Sequence, residues 1–400
     1  MKILSFKPGH DGSICYIKNN KLIFCHEAEK DSGTRYSPVT TECTIEALTT
    51  LNDAPDIIAL SGWSSGNNPH GSNIGAGYLG LEITDLLRID FLQNNVFFFT
   101  SSHERSHLLC AYGMSPFLQG KPCYALLWEG HIGSFYHIDQ QLNINKLADI
   151  MHEIDVRYTI SYGIADKTFP FVRGQVRLGD AGKIMALAAY CNRDKKTIQD
   201  EELISRLMCI PLDHQNLCKT QFSQSHLYNI GVDSDAFKQF AGHFTDAIFT
   251  KFYREVKKYV KQKLPLLISG GCGLNCDWNS KWLNCGLFDD TFIPPCVNDS
   301  GSAIGTAIDA QYYFTGNAKI DWDVYCGQNF NDDIIDIYGL KYEKLNYYNV
   351  ASALASGDII GWANGKAELG PRALGNRSIL AAPFNKATFT RLKNIKNRES

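Results

Sequence analysis

Two histidines stand four residues apart in "SSHERSHLLCAYG", Ser101 to Gly113. In a helix, residues i and i+4 share one face, so the imidazoles of His103 and His107 can reach a common point. That geometry permits a metal, but it equally describes polar residues on a helix shoulder, because two ligands are too few to define a site. A carboxylate candidate lies far along the chain in "PPCVNDSGSAIGTAI", where Asp299 precedes a run of small residues. Aspartate in that place also serves as a helix cap, its commonest role there. In "ISGGCGLNC", Gly270 and Gly271 follow an apolar strand and precede a helix. Such a turn lets backbone approach a flat or phosphorylated ligand, with helix N–H groups beyond it; tight packing explains it equally well.

The elements that must carry these residues read as α/β. "KILSFK", "SICYIKNN" and "KLIFCHEAE" form a three-strand opening about a turn at Asn19 and Asn20. "DIIALSGW" and "NVFFFTS" follow as strands, and "ERSHLLCAYG" as a helix. "CYALLWEGHIGSFYHID" then repeats the strand, glycine turn and strand of the amino terminus, so "GHDGSICYI" and "EGHIGSFYH" suggest a duplicated unit. A long amphipathic helix is expected over 235–263 and a strand, Gly-Gly turn and helix after it. A further strand should end at Pro294-Pro295, with a helix beginning at Ser300. The Gly/Ser/Asn-rich stretch from Ser61 to Gly77 reads as a long loop, functional or simply superficial.

Composition narrows the class. The 400 residues, 44% hydrophobic and 20% charged, suit two or three domain-sized globular units. No apolar run approaches the roughly 20 residues that span a bilayer, and the start turns polar too early for a signal peptide. No membrane partner and a cytoplasmic setting are expected. Thirteen cysteines, an odd number, fall in apolar segments such as "ICYI", as reduced buried thiols do. The net charge of -3 gives no basic field, so a nucleic-acid partner would need a local patch that no basic run supplies.

Taken in chain order, "GHDGS", "HERSH", "WEGHIGS", "GDAGKIMALAAY", "ISGGCGLNC", "PPCVNDSGSAIGTAI" and "GWANGKAELGPRALGNRSIL" together resemble the NodU/CmcH family of O-carbamoyltransferases. "ELGPRALGNRSIL" is nearly that family's own motif. The resemblance covers most of the chain; 30–95 and 195–260 contribute little. It implies a TsaD-like carbamoyl-transfer domain over 1–340, built from two duplicated lobes of the actin-like ATPase class with a nucleotide in the cleft. Residues 341–400 would begin a YrdC-like domain and stop inside it. The implied reaction is ATP-dependent: carbamoyl phosphate and ATP give carbamoyl adenylate and pyrophosphate, and an acceptor hydroxyl then takes the carbamoyl group as AMP leaves.

The resemblance also assigns residues. His103, His107 and Asp299 match metal ligands, the metal usually being iron in the family, with Mg accompanying ATP. The fourth ligand departs from the pattern, since Glu129 stands where the family has aspartate. His10 and Asp11 fall in the catalytic turn, with His10 placed to orient the carbamoyl group or the acceptor proton. Gly12 and Ser13 should face phosphate oxygens, Lys183 should neutralise nucleotide phosphate, and Gly270, Gly271 and Asn275 should line the adenosine pocket. Arg372, Asn376 and Arg377 are the implied carbamoyl phosphate ligands, because planar guanidinium groups bind a compact dianion bidentately. Lys396 and Arg398 resemble a further basic pair. The acceptor is expected to be the hydroxyl of a natural product or sugar-like small molecule. Two alternatives stay open: a hydroxymethylated pyrimidine in nucleic acid, and a TsaD-like nucleotide-binding subunit of a tRNA-modifying complex. The oligomeric state is open, a homodimer being one expectation.

Overall fold

The computed structural model describes residues 1–64, 73–83, 87–91, 93–172, 177–210, 217–330 and 344–396. They group into two units: the described residues of 1–121 with those from Phe292 onward, and those of 122–291.

The first unit is built on β1 (Lys2–Lys7), β2 (Ser13–Lys18), β3 (Lys21–Glu27), β4 (Ile57–Ser61), β5 (Trp63–Ser64), β6 (Asn73–Ile74), β7 (Leu87–Phe91) and β8 (Asn94–Ser101). Its sheet runs β3-β2-β1-β4-β8-β7, an antiparallel meander followed by β4 and β8 in parallel with β1. β2 is buried along nearly its whole length rather than on alternate residues, as a strand covered on both faces must be. Helix Ser302–Thr315 packs on β1, β2 and β4 and against helix His103–Met114. Their close approach depends on Gly305, where a Cβ would stand 1.8 Å from the Ser106 carbonyl oxygen. The small residues of "SAIGTAI" therefore serve helix packing.

The second unit holds β9 (Cys123–Trp128), β10 (Gly133–Ile138), β11 (Ile144–Asp149), β12 (Leu266–Ser269) and β13 (Thr291–Phe292), ordered β11-β10-β9-β12-β13. Again three strands form an antiparallel meander, and the fourth lies parallel to the first. The duplication suspected from the two glycine turns is thus a strand order repeated in each unit. The long helix spans Asp235–Tyr259, four residues short of the expected end. Val260 turns extended there, before Pro265 and its restricted neighbour Leu264 are reached. Likewise, the helix expected at Ser300 begins at Ser302, after a 3-10 turn over Asp299–Gly301.

Residues 344–396 contribute helix Tyr347–Ala355, the antiparallel pair β14 (Ile359–Ala363) and β15 (Arg377–Ala381), and helix Lys386–Ile395. By contacts they belong to the first unit. All thirteen cysteines are free thiols, most of them buried. Among the described residues, no helix is long and apolar enough to cross a membrane.

Candidate active site

The β1–β2 turn, helix His103–Met114 and the 3-10 turn at Asp299 meet within the first unit. Ser102 caps that helix, its hydroxyl accepting from the Arg105 amide, which sets His103 and His107 one turn apart. Arg105 grips Asp309 bidentately at 2.7 Å and 2.7 Å, fixing this helix to the one that follows Asp299. His103 is flanked by Tyr78, stacked at 4.4 Å, and by Trp63, edge-on at 5.0 Å. Asp299 does not cap its turn; Asn298 holds the cap position, its Oδ1 accepting from the Ser300 hydroxyl at 3.1 Å rather than from an amide of the turn. Its buried carboxylate instead faces the histidines.

The spacings suit a small cation. The two Nε2 atoms are 3.2 Å apart; His107 Nε2 lies 3.4 Å from Asp299 Oδ1, and His103 Nε2 lies 3.6 Å from Oδ2. Ligands about 2.1 Å from a tetrahedral metal stand about 3.4 Å from one another, so the three side chains fit a divalent ion as they are. Imidazole with carboxylate is a donor set that several first-row ions accept.

Two further groups share the Asp299 carboxylate. Lys7, wholly buried, places Nζ 3.1 Å from Oδ2 and 3.7 Å above the Trp63 ring, and donates to the His10 carbonyl. His10 Nδ1 lies 3.0 Å from Asp11 Oδ2 and 3.7 Å from Asp299 Oδ2, with its ring edge-on to Trp63. Burial works against ionisation of Asp299, yet Lys7, His103 and His10, with a bond from His107, hold its carboxyl well below the usual range. For His10, burial would lower the imidazole; Asp299 and the bonded Asp11 outweigh it and leave the pKa raised. The turn is tight: Asp11 and Gly9 have φ of 51° and 79°, and a Cβ on Gly9 would strike Trp63 at 2.5 Å.

Gly12 and Ser13 already have protein partners. The Gly12 amide donates to the Ser37 carbonyl at 2.8 Å and the Ser13 hydroxyl to the Ser300 carbonyl at 2.7 Å, so neither of these donors points freely at a phosphate.

Beside this centre, still within the first unit, lies a cleft of 690 Å³ lined by Asp11, Gly12, Glu27, Arg372, Arg377 and Lys396, among others. The motif "ELGPRALGNRS" folds around one carboxylate: Glu368 Oε1 accepts the amides of Leu374, Asn376 and Arg377 at 2.8, 2.9 and 2.9 Å. Burial alone would raise this carboxyl, but the amide donors, with Arg377 first, bring it below its ordinary value. Asn376 ties back to the Lys366 carbonyl. The Arg377 guanidinium donates to main-chain oxygens of Asn364, Gly365, Asn376 and Gln328. In this structure it is a clamp for its own loop, with both terminal nitrogens engaged, so a bidentate grip on carbamoyl phosphate would require these bonds to exchange. Arg372 and Lys396 line the cleft; Arg398 lies outside the described residues.

In the second unit, Glu129 is buried in the β9–β10 turn, its amide bonded to the Ile132 carbonyl at 2.7 Å. Its charge acts on Asp155 and Cys272, whose pKa values are raised mainly by burial. Gly270 has φ of 92° and no room for a Cβ, which would meet the Trp128 carbonyl at 2.5 Å, whereas Gly271 faces open space. Asn275 caps helix Cys276–Asn284 through Oδ1, leaving a buried Nδ2 with no protein partner. Lys183 is half-exposed, 3.3 Å from Asp180. Sequence reasoning missed Lys7, Trp63, Arg105 and Glu368; only Lys7 left a trace there, as a charge ending an apolar strand.

Residues 79–308 match the family described as carbamoyltransferase N-terminus, and 351–400 the carbamoyltransferase C-terminus. The chain is 41% identical over 403 residues to a 3'-hydroxymethylcephem-O-carbamoyltransferase of Amycolatopsis lactamdurans, covering 100% of this chain and 77% of that protein. It is 30% identical over 448 residues to nodulation protein U of Sinorhizobium fredii, covering 100% and 78%. A solved structure, the activator of the 2-hydroxyisocaproyl-CoA dehydratase from Clostridium difficile with bound ADPNP, aligns with a TM-score of 0.41 at 11% identity over 78% of this chain and 98% of that one.

Proposed function

The chain belongs to the carbamoyltransferase family, and we propose that it moves a carbamoyl group onto the primary hydroxyl of a small bicyclic natural product such as a hydroxymethyl cephem. O-Carbamoyl transfer is the family's activity. The acceptor class rests on the whole-chain similarity to the cephem enzyme. In this reading carbamoyl phosphate, ATP and water give carbamoyl adenylate, phosphate and pyrophosphate in the carboxyl-terminal, YrdC-like part. The acceptor oxygen then attacks the carbamoyl carbon and AMP leaves.

The observation that carries the site is the convergence of His103, His107 and Asp299 beside His10. Those three residues, with Glu129 proposed as the fourth, would hold a divalent ion, iron by family resemblance, which polarises a carbonyl or phosphoryl oxygen when bound. His10 takes the acceptor proton as the new C–O bond forms. Asp11, 3.0 Å from its Nδ1, orients the ring and stabilises the imidazolium that results. Trp63 walls one side of His10 and helps keep water from the carbamoyl carbon. Arg372 and Lys396 supply positive charge in the cleft for a phosphorylated substrate. Asn275 Nδ2 and the open face of Gly271 offer a place for the adenosine of the nucleotide, with Lys183 of the same unit as its phosphate cation. Free buried thiols suit a reducing cytoplasmic setting.

The test is a label. Incubated with carbon-labelled carbamoyl phosphate, ATP and a hydroxymethyl cephem, the protein should yield labelled carbamoylated cephem in amounts matching the AMP formed. Nucleotide turnover with no label on that acceptor would remove the proposed substrate class.

A further inference from the structure

Lys7 is an unusual neighbour for a divalent-ion site. Its side chain is fully buried, at 0% exposure, and its ammonium stands 3.1 Å from Asp299 Oδ2. The Trp63 ring lies against it at 3.7 Å, and the His10 carbonyl accepts one of its protons. The groups that face it are Asp299 and His10, with Asp11 behind His10, and the histidines His103 and His107 on the far side of the carboxylate.

A charge count follows from this geometry. With Lys7 beside Asp299, the one carboxylate that the first unit brings to the histidines is already neutralised in the metal-free chain. An arriving divalent cation therefore enters beside a fixed ammonium, and a buried site tolerates uncompensated like charges poorly. Asp299 Oδ2 faces both the Lys7 ammonium, at 3.1 Å, and His103 Nε2, at 3.6 Å, while Oδ1 lies 3.4 Å from His107 Nε2, so an ion between the histidines would share this carboxylate with Lys7. A neutral side chain of similar length would leave the opposite situation: a buried, uncompensated carboxylate in the metal-free protein, relieved only when a cation arrives.

We infer that Lys7 is a built-in counter-ion for Asp299 that stands in for the metal in the empty protein and weakens divalent-ion binding at the centre, keeping the ion exchangeable. The inference deepens the metal reading of His103, His107 and Asp299 and rests on it. Lys7 is thereby a positioning residue: it acts through Asp299 and touches no substrate.

The experiment compares Co²⁺ binding to the metal-free full chain, by equilibrium titration followed in absorbance, for wild type, Lys7→Met and Lys7→Arg. Lys7→Met should bind at least about tenfold more tightly, as removal of a like charge a few ångströms away requires. It should also be the less thermostable protein without Co²⁺ and show the larger rise in Tm with it. Lys7→Arg keeps the cation and should bind within about threefold of wild type, a pattern that a purely packing role for Lys7 would not produce. Equal or weaker Co²⁺ binding by Lys7→Met overturns the inference, as does a Lys7→Met chain that stays unfolded even with Co²⁺ present. Wild-type protein that binds no Co²⁺ at all would instead remove the underlying metal reading.

Discussion

In the proposed reaction, His10 is the residue on which the transfer chemistry turns. Its imidazole, raised by Asp299 and Asp11 against the lowering effect of burial, is a base placed beside the ion-binding carboxylate. Replacing it with asparagine keeps a polar group in the turn but removes proton transfer, so His10→Asn should slow carbamoyl transfer by about 100- to 10,000-fold. Pyrophosphate release should continue, because the adenylate is formed elsewhere; unchanged transfer would take His10 out of the mechanism. His103, His107 and Asp299 were legible in the sequence because helical spacing and a family motif both pointed to them. Lys7 was not, since a lysine at the end of a strand reads as a solvated charge. Only the tertiary arrangement reveals that Trp63 roofs it and Asp299 pairs with it. The protein partners of Gly12 and Ser13 were not legible, because backbone amides and hydroxyls find nearby carbonyls that no one-dimensional pattern displays.

At the scale of elements, the loop "ELGPRALGNRS" was recognised as functional, but much of its chemistry is internal. Glu368 gathers three amides, Arg377 clamps four carbonyls, and the Gly370 amide donates to Glu27 at 2.6 Å. Gly370 has φ of 77°, and a Cβ there would lie 1.9 Å from the Pro295 carbonyl oxygen, in the strand exit that leads to Asp299. Gly370→Ala therefore combines an unfavourable left-handed backbone with overpacking and should cost about 2–4 kcal/mol. Chemical denaturation checks this. A loss under about 0.5 kcal/mol, within the range of ordinary surface substitutions, would mean that the loop is not wedged against that exit. The strands β1 to β4, β8 to β10 and β12 were legible because β-branched and aromatic runs bounded by Asn and Gly turns are strong local signals, whereas β7, β11, β14 and β15 were not singled out. Helix ends were less so: the long helix stops at Tyr259 although its charged, amphipathic pattern continues to Lys263.

For the whole molecule, the repeated strand order is the clearest consequence of the sequence. "GHDGS" and "EGHIGS" each close a meander at the same point, between β1 and β2 and between β9 and β10. What the sequence could not display is that residues 292–330 and 344–396 return to pack with the first 121, since that grouping depends on contacts between segments far apart in the chain. This return brings Asp299 to His103 and His107 and sets Arg372 in a cleft that also touches Asp11. The central claim is that this assembled centre holds a divalent ion for carbamoyl transfer. Metal analysis of purified, folded His103→Ala/His107→Ala protein beside wild type tests it most directly. The account predicts about one divalent ion per wild-type chain and none retained by the double variant, since without the two imidazoles the remaining carboxylates are a poor site for such an ion. A double variant that kept a full stoichiometric ion would contradict it.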